Sequence, residues 1–419
     1  MLFDIFEYNI SLALFIYFLS LFLLFVIFKK QIITLADPLL FHLLWLSSQI
    51  AFFVIYAEHN LITSVYIIFV ISLITYLSSL IFFTRYYAKL YKKEKQTNIG
   101  NLNSSNVITI KRWRLIIIIL VLLFLYSNSS FIQFALTAGN PAELFLYRFT
   151  ELQGRVPSER ILKISSYFLI FYIFLGLHIG IHRKLSISLI VLILIFDLAA
   201  GGRSALITML GSAGAYIFIF KSKINKSFIK KFNVISIFLL IFSIIIAMLV
   251  SSFYETDATF QTGALVIFNR IFAAPDGIEY YLNNSGESKI QSGLFPYFMS
   301  IFGIYVKGLL DIDYKNIGWQ LTELVVGEVS FAQGANYTFL LQSVVFSIFL
   351  APIYSAFVAW AISILRYVKF SSFKSAPLAF VSCLICFNIA TDIEFFFFLL
   401  LSTLIVYYLV IYPLANFKL

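Results

Sequence analysis

Long runs of apolar residues, separated by short polar connections, make up most of this chain. A run of about twenty such residues is long enough to cross the hydrocarbon core of a bilayer as a helix. Candidate spans fall at residues 9–28, 39–57, 61–83, 115–136, 161–181, 185–200, 205–220, 233–252, 337–365, 376–391 and 395–413. The pattern predicts an all-α polytopic membrane protein with about 11 transmembrane helices, built as a single integral membrane domain over residues 1–419.

The longest non-spanning segment, 253–336, breaks this regular alternation. It holds two apolar pieces, 264–274 and 294–310, which prolines and glycines interrupt. Irregular backbone at membrane depth is tolerated only where it is buried in protein or lines a cavity. We therefore expect a large outer loop of short interfacial or re-entrant helices that pack over an outer cavity.

Basic residues divide the connections into two sets. Of the 30 Lys and Arg, 21 fall in alternate connections together with only two of the 20 acidic residues, Asp37 and Glu94, so that side carries +19. The other side holds nine basic and 18 acidic residues, a net charge of −9. The positive-inside rule makes the basic side cytoplasmic. This places the N-terminus outside and the C-terminus inside.

Composition excludes several functional classes. The chain is 61% hydrophobic and 12% charged, with a mean hydropathy of +0.95, so no stretch could form a separate soluble domain. The net charge of +10 separates by side, and it therefore does not indicate a nucleic-acid partner. Four histidines in no metal-binding spacing, and the lack of any nucleotide-binding fingerprint, predict neither a metal nor a cofactor. Cys383 and Cys386 are typical of two small apolar residues on one helix face.

One short hairpin is the first candidate site. Asp197–Ser204 joins the apolar segments 185–200 and 205–220, and its tip, Gly201-Gly202-Arg203-Ser204, is expected at the outer membrane surface. Free N–H groups at the start of the following helix, the glycine backbone and Ser204 as a helix cap would bind an anion, and Arg203 would add charge. A diphosphate ester suits this arrangement best. The alternative is an Asp197–Arg203 ion pair that only closes the hairpin.

Other outer residues are candidates for binding a sugar or an anion. Arg148 and Arg155 lie in the outer loop 137–160, and Arg270 lies in an apolar segment, where it either lines a cavity or reaches lipid headgroups. Asp276 and Glu279, beside Tyr280, are typical of side chains that bind sugar hydroxyls. Their alternative role is that of an ordinary solvated loop edge.

Carboxylates before the ninth span are candidates for a general base. Trp319 and Glu323 precede that span together with Glu328, and one of the two glutamates could accept a proton near the membrane surface. Asp392 and Glu394 form another outer hairpin, where they are more typical of turn residues.

The layout resembles the bacterial O-antigen and capsule polymerases (the Wzy family). The resemblance covers the whole topology, with local matches at Gly201–Leu206 and, more loosely, at Gln333–Phe339. It implies a metal-independent, GT-C type glycosyltransferase that transfers a growing glycan from polyprenyl diphosphate to a new polyprenyl-diphosphate-linked unit. Arg203 and Arg270 would then stabilise the leaving diphosphate. Members of the family have two arginine-rich outer loops, and Arg270 stands alone among lysines in the second loop of this chain.

The resemblance also implies partners and a location. The partners are the polyprenyl-diphosphate-linked oligosaccharide, the lipid bilayer and, as a candidate, a chain-length regulator protein, and the location is the bacterial inner membrane. The candidate proton acceptors are Glu328, Glu323, Glu279 and His59. The candidate substrate-binding residues are Gly201, Gly202, Ser204, Arg148, Arg155, Asp276, Glu279, Tyr280 and Trp319.

Two other functions remain open from the sequence. An O-antigen ligase would share the donor, but that family uses a histidine in its late outer loop, and this chain has no histidine after residue 182. A flippase or transporter of lipid-linked oligosaccharide would carry charges well inside its spans. The predicted spans here are almost free of charge.

Overall fold

The computed structural model describes residues 4–98, 110–139, 157–199, 205–252, 260–299, 301–302, 315–327, 335–370 and 374–416. Within these ranges the chain is helical with short connections and contains no strand. The expectation of an all-α architecture is therefore confirmed for the part of the chain that the structure describes.

Three long helices begin the bundle, after a short 3-10 turn at Ile5–Glu7. They are α1 (Ile10–Phe28), α2 (Pro38–His59) and α3 (Ser64–Asn98). Polar residues define their ends: the Asn9 side chain accepts a hydrogen bond from Leu12 N, and Asp37 caps α2 through Leu39 N. The connections are short, so successive helices run in opposite directions. The start of α1, the end of α2 and the start of α3 therefore lie at one end of the bundle.

In the middle of the chain, the described residues form seven helices. They are α4 (Ile110–Ser127), α5 (Ser129–Thr137), α6 (Pro157–Leu162), α7 (Ser165–Ile179), α8 (Arg183–Ala199), α9 (Ala205–Phe220) and α10 (Lys226–Ser252). A bend of 56° separates α4 from α5. Small residues allow close packing here: Gly214 of α9 lies against the backbone of Ala36, where an added Cβ would be 1.9 Å from the Ala36 carbonyl oxygen.

Short helices follow in the segment predicted as the large loop. They are α11 (Phe260–Phe272), α12 (Asp276–Asn283), α13 (Gly286–Lys289) and α14 (Ile317–Val326). Residues 294–299 are also helical. The prediction of short helices in this segment agrees with the structure wherever it is described.

The last part of the chain contains α15 (Phe339–Phe346), α16 (Ala351–Arg366), α17 (Ala376–Ile385), α18 (Asn388–Thr391) and α19 (Ile393–Val406). A π-helical segment, Tyr407–Ile411, leads into α20 (Tyr412–Asn416). The apolar run 337–365 is not one helix. It breaks at Ser347, whose backbone is extended, and a 3-10 turn at Ile348–Leu350 precedes α16.

Seven of the described helices are long and apolar enough to cross a membrane, and an eighth results if α4 and α5 form one bent span. Large apolar side chains such as Phe15, Phe22 and Phe238 are exposed on the outer helices, as expected for side chains that face lipid. This is the architecture of an all-helical polytopic membrane protein. The expected number of 11 includes shorter segments, among them α8, α9 and α17.

Contacts between distant residues join several of the connections that carry basic residues. The Arg366 side chain donates to the Gln31 carbonyl oxygen at 3.2 Å, and Leu35 N donates to the Asn233 side chain at 3.0 Å. The Arg114 Nε likewise donates to His182 at 2.9 Å. We call this the basic end, and the opposite end, which carries the start of α1 together with α12 and α14, the acidic end.

Candidate functional site

Helix α12 lies at the acidic end, against the first three helices. The Tyr56 hydroxyl at the end of α2 donates to the Asn283 side chain at 2.7 Å, and Tyr281 packs edge-on against Phe69 of α3. The sequence Pro275-Asp276-Gly277 starts this helix, and the close approach of Gly277 to the Asn336 carbonyl oxygen leaves no room for a side chain. The helix therefore presents its first turn to the segment before α15.

Asp276 connects α12 to that segment. One of its carboxylate oxygens accepts hydrogen bonds from the Asn336 backbone N at 2.9 Å, from the Asn336 Nδ2 at 3.0 Å and from Gly277 N at 2.6 Å. The same Asn336 amide donates to the Ala273 carbonyl oxygen. Asp276 and the stretch Gln333–Phe339, which the sequence indicated separately, thus meet through Asn336.

Glu279 is the most buried carboxylate of α12, with 8% of its surface exposed. It accepts a short hydrogen bond from the hydroxyl of Tyr8, which precedes α1. The Tyr8 ring packs edge-on against the imidazole of His59 at a centroid distance of 5.8 Å. Together, Tyr8, His59, Asp276, Glu279 and Asn336 form what we call the acidic site.

Burial makes both carboxyl groups of the acidic site unusually weak acids. Desolvation raises the pKa of Asp276 to about 6, although its hydrogen bonds from Asn336 and Gly277 oppose the change. Desolvation also raises the pKa of Glu279 to about 7, against the opposing hydrogen bond from Tyr8 and with help from nearby acidic groups. A carboxylate with a pKa near neutrality can accept a proton from a substrate and release it again. The acidic site can therefore act in general acid–base chemistry.

Glu323, which with Glu279 and His59 is a described candidate for the proton acceptor, lies in a different setting. Its carboxylate is 2.8 Å from the ammonium of Lys315, and that lysine is partly exposed. Glu323 of α14 therefore has a cationic partner that lies two residues before that helix. Nearby, Trp319 is partly buried, and its buried Nε1 has no hydrogen-bond partner among the described residues.

Two further predicted residues lie at different depths. Arg270 is exposed in the last turn of α11, next to the buried Asn269, which accepts a hydrogen bond from Ile5 N at 2.9 Å. Tyr280 is buried in the hydrophobic core with 6% of its surface exposed. Its ring therefore supports the packing of α12, while Arg270 is the accessible cation of this region.

Seven predicted site residues fall outside the described part of the chain. They are Gly201, Gly202, Arg203, Ser204, Arg148, Arg155 and Glu328. Their roles stay predictions. Among the described residues, no group of three or more His, Cys, Asp or Glu side chains is arranged to hold a metal ion.

The structure adds two features that the sequence analysis did not identify. Tyr8 belongs to the acidic site although 271 positions separate it from Glu279. At the basic end, Arg366 and Asp37 form an ion pair at 2.9 Å with both side chains fully buried. The only sequence signal for this pair was that Asp37 is one of two acidic residues on a strongly basic side.

Comparison of the chain with protein-family models, with curated proteins and with solved structures finds no match.

Proposed function

We propose that this protein is a glycosyltransferase that uses polyprenyl diphosphate and polymerises lipid-linked oligosaccharide repeat units. The reaction takes place at the acidic end of the bundle. The observation that carries the proposal is the acidic site. It places the Glu279 carboxyl group, whose pKa is near neutrality, beside a second carboxyl group and a tyrosine at the end of a bundle of membrane helices. A transferase that acts on a membrane-anchored donor needs its proton acceptor at such an end of the bundle, close to the membrane surface.

The reaction transfers the growing glycan to a hydroxyl of the new unit. The acceptor oxygen forms a bond to the anomeric carbon of the donor, and the bond between that carbon and the diphosphate oxygen breaks. The diphosphate leaves with the bonding electron pair, and the acceptor proton passes to the Glu279 carboxylate. No oxidant, reductant or nucleotide is required, because the donor diphosphate ester supplies the driving force.

The environments of the candidate bases rank them. A general base works best when its pKa lies near the operating pH, which fits Glu279. Both carboxylate oxygens of Glu323 already accept from the Lys315 ammonium, at 2.8 and 3.1 Å. His59 lies beside Tyr8 and could receive the proton next. We therefore assign proton abstraction to Glu279 and a positioning role to Tyr8.

Cations are needed where negative charge develops on the leaving diphosphate. Arg270 is exposed at the acidic end. Along the chain it precedes α12 by about two helical turns at 3.6 residues per turn. Arg203, with Gly201, Gly202 and Ser204, would supply the second cation and backbone N–H groups, as the hairpin sequence predicts. Arginine suits this role because its planar group binds two phosphate oxygens at once.

The test is the length of the surface glycan in cells that lack the gene and carry either wild type or Glu279→Gln at matched membrane levels. We expect glycan that stops at one repeat for Glu279→Gln and a full ladder for the control Glu287→Gln, which changes an exposed glutamate of α13. In isolated membranes the wild-type rate should rise with pH through about 7, since the base must be ionised. Tyr8→Phe removes a hydrogen bond that lowers the pKa of Glu279, so it should move that rise to higher pH. A full ladder from Glu279→Gln would refute the assignment.

A second candidate, transport of the lipid-linked oligosaccharide, is favoured by one observation. The buried Asp37–Arg366 pair places charge inside the bundle, as transporters commonly do. In a strain that lacks a transporter, unextended precursor would accumulate on the cytoplasmic side. In a strain that lacks a polymerase, single repeats would reach the cell surface.

A further inference from the structure

A cavity of about 530 Å³ lies at the basic end, between the end of α1 and the later turns of α3. Four basic side chains line it, Lys29 and Lys30 from the residues that follow α1, and Arg85 and Lys89 from one face of α3. The last turn of α1 adds the apolar side chains of Val26 and Ile27. Its volume is within the range of small-molecule sites in proteins.

The charge around this cavity is unbalanced. Its lining contains no aspartate or glutamate, and within the described residues none of the four basic side chains makes an ion pair. Asp37, a buried acid between α1 and α2, is already paired with Arg366. The positive-inside rule accounts for basic residues at this end of the bundle, but not for the convergence of four of them on one cavity.

Gln31 provides an independent sign of a ligand. Its backbone N donates to the Phe28 carbonyl oxygen at 2.8 Å, and its own carbonyl oxygen accepts from Arg366, so its position is fixed. The residue lines the cavity with 8% of its surface exposed, and its buried Oε1 has no hydrogen-bond partner among the described residues. A buried acceptor without a partner is costly, and a turn of the Gln31 side chain toward the cavity would let it accept from a hydroxyl group of whatever occupies the cavity.

We propose that this cavity binds the headgroup of an anionic phospholipid that carries both a phosphate and a hydroxyl group, such as phosphatidylglycerol. The four cations match the phosphate, the Oε1 of Gln31 matches the hydroxyl, and the apolar end of α1 matches the first carbons of the acyl chains. Phe22 and Phe25, which are exposed on α1, continue that apolar surface toward the middle of the helix. Basic pockets between membrane helices are a common form of lipid recognition. The site is independent of the polymerase proposal, since it lies at the other end of the bundle.

The test measures lipid binding to the purified full-length protein in phosphatidylcholine nanodiscs that contain increasing fractions of phosphatidylglycerol. The variant Arg85→Gln/Lys89→Gln removes two of the four cations. The matched control, Lys226→Gln/Lys230→Gln, removes two exposed lysines with the same spacing from α10 at the same end of the bundle. Each basic residue strengthens lipid binding by about fivefold. The first variant should therefore bind phosphatidylglycerol about 25-fold more weakly, and the control should bind it as wild type does.

Two more arms separate the possible outcomes. Gln31→Leu should abolish the preference for phosphatidylglycerol over phosphatidylethanol, an analogue without the hydroxyl group. Soluble glycerol phosphate, added to the protein in detergent, should not compete at concentrations comparable to the lipid. An equal loss of binding in Arg85→Gln/Lys89→Gln and in the control Lys226→Gln/Lys230→Gln would reduce the site to general surface charge and overturn the proposal. Strong binding of glycerol phosphate would make it a soluble-anion site and overturn the lipid assignment.

Discussion

The buried pair Asp37–Arg366 offers the sharpest test of how this bundle is stabilised. The Arg366 Nη2 lies 2.9 Å from one Asp37 oxygen and 3.0 Å from the other, and neither side chain is exposed. The Nε and Nη1 atoms of Arg366 have no hydrogen-bond partner among the described residues. Asp37 and the Gln31 carbonyl oxygen are therefore the hydrogen-bond acceptors that compensate the buried guanidinium.

Asp37→Asn keeps the shape of the side chain and removes its charge. The asparagine can still cap α2 through Leu39 N, which now donates to Asp37 at 2.9 Å. It loses one acceptor: the remaining oxygen is shared by Leu39 N and Arg366, and Ile33 N, which donates to the second carboxylate oxygen at 3.2 Å, loses its partner. Loss of one partner of a buried ion pair costs about 3–5 kcal/mol, because the other charge stays buried. The Phe218 ring, 4.2 Å from the guanidinium, contacts it in wild type and variant alike and so does not change this difference.

The assay is thermal unfolding and denaturant unfolding of the purified protein in detergent, for both single variants and the double variant Asp37→Asn/Arg366→Met. We expect each single variant to lose about 3 kcal/mol, and the double variant to recover a large part of that loss, since no buried charge remains. Asp392→Asn is the matched control, because Asp392 caps α19 through Phe395 N at 2.9 Å and is in none of the ion pairs of the described residues. Its loss should stay below about 1 kcal/mol, as asparagine and aspartate cap helices equally well. Single variants as stable as the control, or strictly additive losses, would refute this account.

Three further predictions concern packing and titration. Gly214→Ala should destabilise the protein by about 1–3 kcal/mol or more, because its Cβ would lie 1.9 Å from the Ala36 backbone oxygen, whereas Gly211→Ala, with no atom nearer than 3.5 Å, should be tolerated in the same unfolding assay. Glu279→Gln should become more stabilising, relative to wild type, as the pH rises from about 5 to 7. The pKa of Glu279 is about 7 in the folded state against 4.5 for the ordinary group, so its ionisation costs the folded state free energy over that range. A difference in stability between variant and wild type that does not change with pH would contradict this. Glu323→Gln, which breaks a partly exposed ion pair, should cost less than about 1 kcal/mol and leave glycan length unchanged, and a shortened ladder would return the proton-acceptor role to this residue.

The long helices were predictable because their apolar runs are uninterrupted and have polar caps. The run 9–28 became α1 with Asn9 as its cap, and Pro38 stands in the first turn of α2 after Asp37. The run 337–365 was equally apolar, and the hydrophobic pattern carries no signal for its break. Contacts from distant parts of the chain hold the break in place: Gly293 N donates to the Val345 carbonyl oxygen at 2.7 Å. In hindsight, Pro352 at the start of α16 was a local sign of a new helix.

The acidic site was predictable only in part. Asp276 and Glu279 stood out as acidic residues beside tyrosines, and the stretch around Asn336 was selected for its family likeness. Tyr8 could not be found in this way, since its contact with Glu279 depends on how α12 packs against the start of α1. The environment of each carboxylate is also a property of the fold. Glu279 and Glu323 look alike in the sequence, and only their surroundings make one a nearly neutral-pKa acid and the other the partner of a lysine.

The basic end shows why counting charges does not reveal their roles. Arg366, Arg85 and Lys226 all contribute equally to the positive-inside signal, and each is at the same end of the bundle. Arg366 is fully buried and holds the end of α16 to the connection before α2 through Asp37. Arg85 faces a cavity whose cations have no acid beside them, and Lys226 is exposed in the first turn of α10. The same charge change should therefore destabilise the protein at the first position, weaken lipid binding at the second and have little effect at the third. A membrane protein in which these three substitutions behaved alike would use its basic residues for orientation alone.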